Sequence, residues 1–165
     1  MNKADLLFLF DYSIWANQKL SRTASRISAA QFTSAFPTTY GSLRGILVHI
    51  LIAHRVWRKR CWKPVGPAHW LIDEEYPDFS TYMQALRAEE ADWHNLLEEL
   101  SEPEVQREVI YQTQRGDTLQ TPLWQIVTHL VNHTTQHRSE AAEVLTQMGY
   151  SPGDLDLIWY LRQGV

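Results

Sequence analysis

The sequence predicts an all-α protein built as a four-helix bundle, and three observations carry this prediction. Hydrophobic residues recur every three or four positions in four long segments, which is the spacing of one helix face. Proline and glycine cluster between these segments, where they end helices. One short stretch alone has the composition of a β-hairpin. The 165 residues predict a single domain spanning 1–165, in an up-and-down arrangement of consecutive helices.

Local signals delimit the first two helices. Asp5–Ile27 carries an apolar stripe that neither proline nor glycine interrupts, so we expect it to form the first helix. Ser42 is expected to cap the second helix, Leu43–Trp62, because its hydroxyl can accept from the first free backbone amides. This helix is apolar almost all round at Ile46–Ala53, which predicts a deeply buried element.

A loop at Ala68–Pro77 is expected to separate these helices from the second half of the chain. Asp78 or Ser80 can cap and begin the third helix, whose apolar residues again recur at helical spacing. Pro103 lies just past its expected end, since proline lacks the amide that a continuing helix needs.

A small β-hairpin is predicted before the fourth long helix. The segments Arg107–Gln112 and Thr118–Gln120 are β-prone and flank turn residues at Gln114–Asp117. Thr121 followed by Pro122 predicts the helix start, with a capping hydroxyl and then proline at the first helical position.

The fourth helix is expected to extend to about Met148, with Gly149 as its C-cap. Pro152 and Gly153 then interrupt the chain, because neither continues a helix readily. The apolar residues of Leu155–Leu161 predict a short C-terminal helix after this break.

Composition narrows the classes of partner. The net charge is -4 and the 15 lysines and arginines are scattered, so we expect no binding to nucleic acid, which needs a basic surface. The single cysteine, Cys61, rules out an internal disulfide and is typical of a reducing compartment. No signal peptide is recognised, and the longest apolar run, Ile46–Ala53, is too short to cross a membrane. A cytoplasmic protein that acts on a small molecule is the expectation.

Three histidines occupy positions that helix packing would bury. His133 and His137 lie one turn apart on one face and continue the apolar stripe of the fourth helix. His49 interrupts the apolar run of the second helix. An unpaired polar group buried there costs about 1–3 kcal/mol, so each imidazole needs a partner. A divalent metal bound by all three would leave an open coordination position for catalysis. Hydrogen bonding between core histidines is the alternative.

Three further residues are candidates for roles beside this metal. His54, five residues after the first histidine, could line the same cavity or simply cap the bundle, and His54 or Glu140 could act as a general base. Arg138 and Glu140 could instead orient an imidazole, and Arg138 could bind an anionic group of a cofactor or substrate. A solvated polar face is the alternative for Arg138 and Glu140. The remaining histidines are expected on the polar flank or at the surface: His129, His69 and His94.

Three segments resemble the DinB family, which includes the YfiT-like metal-dependent proteins. They are residues 12–17, residues 41–57 around His49, and residues 132–138 around the paired histidines. The resemblance follows the chain in order over nearly its whole length. It implies an up-down-down-up connectivity of the four helices in place of the up-and-down layout, and a homodimer. It also implies a divalent metal, typically nickel or zinc, bound by His49, His133 and His137.

The same resemblance implies an enzyme. Family members with known activity are largely transferases that use a low-molecular-weight thiol (bacillithiol, mycothiol or glutathione), and others are described as metal-dependent hydrolases. The expected function is therefore thiol-dependent S-transfer to small electrophiles. A metal-dependent hydrolase and a non-enzymatic metal- or ligand-binding stress-response protein are the alternatives.

Two departures from the family pattern concern the surroundings of the metal. His54 stands where relatives usually carry an acidic residue, and residues 138–140 read Arg-Ser-Glu where relatives often read Arg-Gly-Gln. The ligands match the family, but the substrate does not follow from the resemblance.

Overall fold

The computed structural model describes residues 1–62, 76–113 and 115–162. These residues form the predicted all-α bundle, with one two-stranded antiparallel hairpin before the last long helix. The elements are α1 (Lys3–Ala24), α2 (Ala29–Thr33), α3 (Leu43–Trp62), α4 (Phe79–Glu99), α5 (Glu102–Val105), β1 (Glu108–Gln112), β2 (Thr118–Pro122), α6 (Leu123–Gln147) and α7 (Leu157–Leu161). The loop expected at Ala68–Pro77 lies outside the described residues as far as position 75.

The four long helices form a square in which α1 and α3 are diagonal. Each of these two packs against both α4 and α6. The directions follow from side-chain contacts. Asn17 of α1 donates to Glu90 of α4 at 2.8 Å, whereas Lys3 at the other end of α1 contacts Glu98. Because residue numbers decrease along α1 in the direction in which they increase along α4, the two helices are antiparallel.

The partners of α6 complete the topology. His49 and Trp57 of α3 contact His137 and His129 of α6 respectively, so these two helices are antiparallel. Met1 contacts Thr128, and Arg138 donates to the Tyr12 hydroxyl at 3.3 Å, so α1 and α6 are parallel. The order is therefore up-down-down-up. The up-and-down layout predicted from helix periodicity is wrong, because periodicity identifies the buried face of a helix but not its neighbour.

Capping signals located most element ends, with one exception. Ser42 accepts from the backbone amide of Gly45 at 3.0 Å at the start of α3, as predicted. Gly149 has a φ of +87° one residue beyond Met148, which follows the last residue of α6, and this is the conformation of a C-cap glycine. Thr121 and Pro122, predicted to begin the fourth helix, instead end β2. Thr121 pairs there with a residue of β1, so its backbone serves the sheet.

Two groups of buried apolar side chains fill the bundle. One group includes Leu6, Phe10, Trp93, Leu97 and Leu130, and the other includes Leu20, Ile46, Ile50, Leu86 and Val144. Polar side chains are buried among them at several points of the α3–α6 and α1–α6 contacts. Among the described residues, none of the helices is both long and apolar enough to cross a membrane.

Candidate metal centre

Helix α6 presents two histidines to α3, where a third faces them. The ring centroids of His133 and His137 lie 4.5 Å apart. The His49 ring is 4.9 Å from that of His133 and 4.5 Å from that of His137. One ring nitrogen from each residue lies within 4.8 Å of those of the other two. The structure thus brings together the three histidines that the sequence singled out, here called the histidine triad.

The nitrogen spacing of the triad suits a divalent cation. His49 Nε2 and His133 Nε2 are 3.1 Å apart, and nitrogens bound tetrahedrally to zinc at about 2.0–2.1 Å lie roughly 3.4 Å from each other. A hydrogen bond between these two rings would not include His137. A cation between the rings would engage all three, and imidazole suits zinc and nickel among other divalent metals. The donor set therefore fits a metal.

Burial keeps two of these rings in the protonation state that ligation requires. Desolvation and the neighbouring His137 lower the pKa of His49 to about 4. The same two causes, in the same order, lower the pKa of His133 to about 4. A neutral imidazole keeps a lone pair on one nitrogen, whereas the imidazolium form has protons on both. At neutral pH both rings can therefore act as ligands.

Glu140 fixes the orientation of His137. Its Oε2 lies 3.0 Å from His137 Nδ1, one turn further along α6. A carboxylate in this position holds the proton on Nδ1 and leaves Nε2 free for a metal, which is the common arrangement beside metal-bound histidines. Glu140 was a candidate general base from sequence. That assignment stays a prediction, and the observed contact favours an orienting role.

A tyrosine that the sequence analysis did not single out packs against the triad. The Tyr40 ring is stacked on that of His49, with centroids 4.2 Å apart and planes inclined by 21°. Its ring also meets His137 edge-on at 5.3 Å. Burial and the negative charge of Glu140 raise the pKa of Tyr40 above its usual value. The phenol therefore keeps its proton and can donate a hydrogen bond near the triad.

Two glycines allow Tyr40 to reach this position. Gly41 has a φ of +71°, which favours glycine, and it turns the chain into α3. A Cβ atom at Gly45 would collide with the backbone carbonyl of Tyr40. The one available sequence signal was thus a glycine inside a helix, which often indicates close approach of another backbone. Nothing in the sequence specified which segment approaches.

His54 is enclosed in the bundle, which does not favour the expectation that it lines a cavity beside the triad. Its side chain is 1 % exposed, and its Nε2 pairs with Thr134 Oγ1 at 3.0 Å. Burial, then the charges of His133 and Arg138, lower the pKa of His54 to about 3. A general base must reach the proton that it removes. The catalytic role of His54 stays a prediction that this enclosed position does not favour.

Arg138 is not part of a solvated polar face, as one interpretation of the sequence expected, because its side chain is only 1 % exposed. Its guanidinium points to α1, not α3. It donates to Tyr12 OH, Ser13 O, Ser13 Oγ, Asn17 Oδ1 and Thr135 Oγ1. The cofactor-binding role of Arg138 stays a prediction, which this geometry disfavours because the protein itself already occupies these donors.

The other histidines lie outside the triad. His129 is exposed, as expected, and its ring meets Trp57 edge-on at 5.4 Å. His94 is partly exposed and lies 3.2 Å from a carboxylate oxygen of Asp11. His69 lies outside the described residues.

Comparisons with known proteins agree with this fold. The model of the DinB family matches residues 1–164. Protein DinB of Bacillus subtilis (strain 168) is 21% identical over 158 residues, which cover 93% of this chain and 91% of that protein. The solved structure of YfiT from Bacillus subtilis superposes with a TM-score of 0.63 at 17% identity, over 90% of this chain and 89% of that one. YfiT is described as a probable metal-dependent hydrolase with an unusual four-helix bundle topology. This chain belongs to the DinB family.

Proposed function

We propose that this protein is a metal-dependent enzyme whose histidine triad binds a divalent cation, with nickel and zinc as the foremost candidates. The observation that carries the proposal is the convergence of three ring nitrogens from two helices within 4.8 Å. Three protein ligands leave a coordination position open, which is the property of catalytic rather than structural metal sites. The description of YfiT as a probable metal-dependent hydrolase supports it.

The surrounding residues have separate tasks in this proposal. His49, His133 and His137 hold the cation, which when bound supplies Lewis-acid activation of a small nucleophile. Glu140 keeps His137 in the ligating tautomer through Nδ1. Tyr40 covers the face of the His49 ring, meets His137 edge-on, and offers its phenolic proton to the electrophile.

Two nucleophiles are compatible with such a site, and each has its own support. Water would make the protein a hydrolase, as YfiT is described to be. A low-molecular-weight thiol would make it an S-transferase acting on small electrophiles, which the family resemblance implies. In both cases the acceptor is a small molecule, and we propose that the enzyme acts in the cytoplasm as a homodimer. Light scattering of the metal-loaded protein measures the dimer directly.

Metal analysis is the first test. The protein is purified without a histidine tag, and its metal content is measured before and after chelation and reloading. We expect one divalent ion per chain, lost on chelation and restored by nickel or zinc. Absence of stoichiometric metal under all these conditions would contradict the proposal and support hydrogen-bonded core histidines instead.

An activity panel then distinguishes the two nucleophiles. Apo and reloaded protein are incubated with a model aryl halide plus glutathione, bacillithiol or mycothiol, and separately with activated esters and amides. Thiol-dependent turnover by the reloaded protein alone supports S-transfer, and thiol-independent turnover supports hydrolysis. Stoichiometric metal without either activity would support a non-enzymatic metal-binding protein.

A further inference from the structure

A cavity lies on the side of the bundle opposite the triad. It has a volume of about 320 Å³ and opens between α1 and α4, whereas the triad lies between α3 and α6. Cavities of this size accommodate small molecules. Its lining comes from both helices and includes Asn17, Ser21, Phe79, Met83, Leu86 and Glu90. This cavity is called the α1–α4 groove below.

The groove ends on a buried carboxyl group. Glu90 and Asn17 both line the groove but are only 6 % and 4 % exposed. Asn17 Nδ2 donates to Glu90 Oε1 at 2.8 Å, while Asn17 Oδ1 accepts from the buried Arg138 at 3.1 Å. The arginine thus fixes the amide so that its NH₂ group faces the carboxyl.

Glu90 keeps unused capacity to accept hydrogen bonds. Among the described residues, Asn17 supplies its one side-chain hydrogen bond, although a carboxylate has about four acceptor positions. Burial raises the pKa of Glu90 to about 7, against the opposing effects of Asn17, Arg138 and Arg87. A buried carboxylate is costly unless it is paired. Arg138 and Arg87 act on Glu90 from a distance, but none of the ion pairs among the described residues includes it, so a cationic group entering the groove would provide a direct partner.

The rest of the groove has a different chemistry. Phe79, Met83 and Leu86 give it an apolar wall. Arg22 and Arg87 are exposed at its rim, and neither forms an ion pair with another described residue. Guanidinium groups in this setting suit a carboxylate. Arg87 is close enough to Glu90 for its charge to act on that carboxyl.

We propose that the α1–α4 groove binds a free α-amino acid with an apolar side chain. The ligand's ammonium group donates to Glu90, its carboxylate accepts from Arg87 and Arg22, and its side chain packs along Phe79 and Met83. Along α4 the acidic Glu90 is followed toward the N-terminus by Arg87 and then by Met83 and Phe79, which suits a molecule with adjacent opposite charges and an apolar remainder. This site is separate from the proposed enzyme activity, because the triad lies on the opposite side of the bundle.

Calorimetric titration of the metal-loaded full chain tests the proposal. The probes are L-leucine and L-methionine, with two half-analogues of leucine: 3-methylbutylamine, which lacks the carboxylate, and 4-methylpentanoate, which lacks the amine. We expect the amino acids to bind, and each half-analogue to bind at least about tenfold more weakly, because each loses a charged hydrogen bond. Equal binding of a half-analogue, or no binding of either amino acid in the millimolar range, would overturn the proposal.

Variants locate the binding site. Glu90→Gln should weaken leucine binding at least about tenfold, while Glu99→Gln, an exposed change on the same helix, should leave it unchanged. Met83→Trp places a larger side chain at a half-buried position of the groove wall and should abolish leucine binding. This variant still tests the proposal if Glu90→Gln fails to fold. Unchanged leucine binding in a folded Met83→Trp variant would place the ligand elsewhere and contradict the proposal. Metal content measured on the same samples separates this result from any failure of the triad.

Discussion

Helix α6 carries buried or half-buried polar side chains on two of its sides, and the surroundings of the two groups differ. On the side facing α3, ring nitrogens of the triad face each other, and His133 Nδ1 has no hydrogen-bond partner within the described residues. On the side facing α1, the guanidinium of Arg138 donates to several oxygens of the protein. Arg138 directly follows the triad residue His137 in the same helix.

The difference separates structural from functional polar groups. A buried group that the protein itself satisfies needs nothing else, and it holds neighbouring helices in register. A cluster whose nitrogens point at one another is satisfied best by something that the chain does not contain. Burial alone therefore does not identify a site. The partners of the buried atoms do, and the following changes are chosen to break or sharpen that distinction.

The largest effect should come from Arg138→Met, which removes the satisfied group. It leaves Asn17 and Glu90 without their buried cationic neighbour and should lower the free energy of unfolding by about 3–5 kcal/mol. Chemical denaturation of the metal-free protein measures this. Arg115→Met, at an exposed arginine of the hairpin turn, is the matched control and should have little effect. Equal destabilisation by both changes would contradict a structural role of Arg138.

Removing a triad ring should have the reverse effect: a large loss of metal affinity and a small loss of stability. His49→Ala, His133→Ala and His137→Ala should each lower metal affinity more than about 100-fold, since a lost ligand should cost more than a lost supporting residue. They should destabilise the metal-free protein far less than Arg138→Met does. Metal titration in competition with a chromophoric chelator gives the affinities.

His129→Ala controls for a nearby histidine on the same helix, because His129 is exposed and outside the triad. It should largely retain the metal. A comparable loss in His129→Ala would mean that the ligand face of α6 is drawn wrongly.

Glu140→Gln should have a smaller effect on the metal. The neutral amide holds His137 Nδ1 less strongly than the carboxylate does, so metal affinity should fall about 10- to 100-fold while metal stoichiometry is kept. The same competition titration measures it. Glu143→Gln, at an exposed glutamate of α6 that bonds Gln147 instead, is the control and should leave the affinity unchanged.

The sequence carried enough information to predict the triad, and the reason is local. His133 and His137 extend an apolar stripe by whole helical turns, and His49 breaks an apolar run, so each sits at a position that packing must bury. The same logic applies to Arg138, which continues the turn, and to His54. For Arg138 and His54, however, the sequence could not identify the hydrogen-bond partners. Those partners, Tyr12, Asn17 and Thr134, come close only through tertiary packing.

Neither the order of the helices nor the position of Tyr40 in the loop before α3 could be predicted from local sequence patterns, for a related reason. An apolar stripe does not say which of three other stripes it meets, so the diagonal placement of α1 and α3 was missed. Tyr40 lies in a connection with no periodicity of its own. Its approach to His49 depends on Gly45, whose role is visible only once the backbone of residue 40 is placed.

The smaller of the two expected effects on stability is a pH dependence that originates at Glu90. Burial raises the pKa of this carboxyl from 4.5 to about 7 in the folded protein. The folded state therefore holds the proton more tightly than the unfolded state. This contribution to stability is fully present below pH 4.5 and is lost as the pH rises through 7. Asn17, Arg138 and Arg87 face Glu90, and all three act against the shift without cancelling it.

Glu90→Gln isolates this contribution, because glutamine keeps the side-chain length but does not titrate. Between pH 5 and pH 8, the free energy of unfolding of the metal-free wild type should fall relative to Glu90→Gln by about 2–3 kcal/mol. Denaturation at a series of pH values with a chelator present measures the difference and keeps the triad out of the comparison. Parallel pH profiles of the two proteins would mean that Glu90 ionises in the folded state as readily as in the unfolded chain. Glu90 would then be an ordinary charged neighbour of Arg138, and not a carboxyl that lacks hydrogen-bond donors.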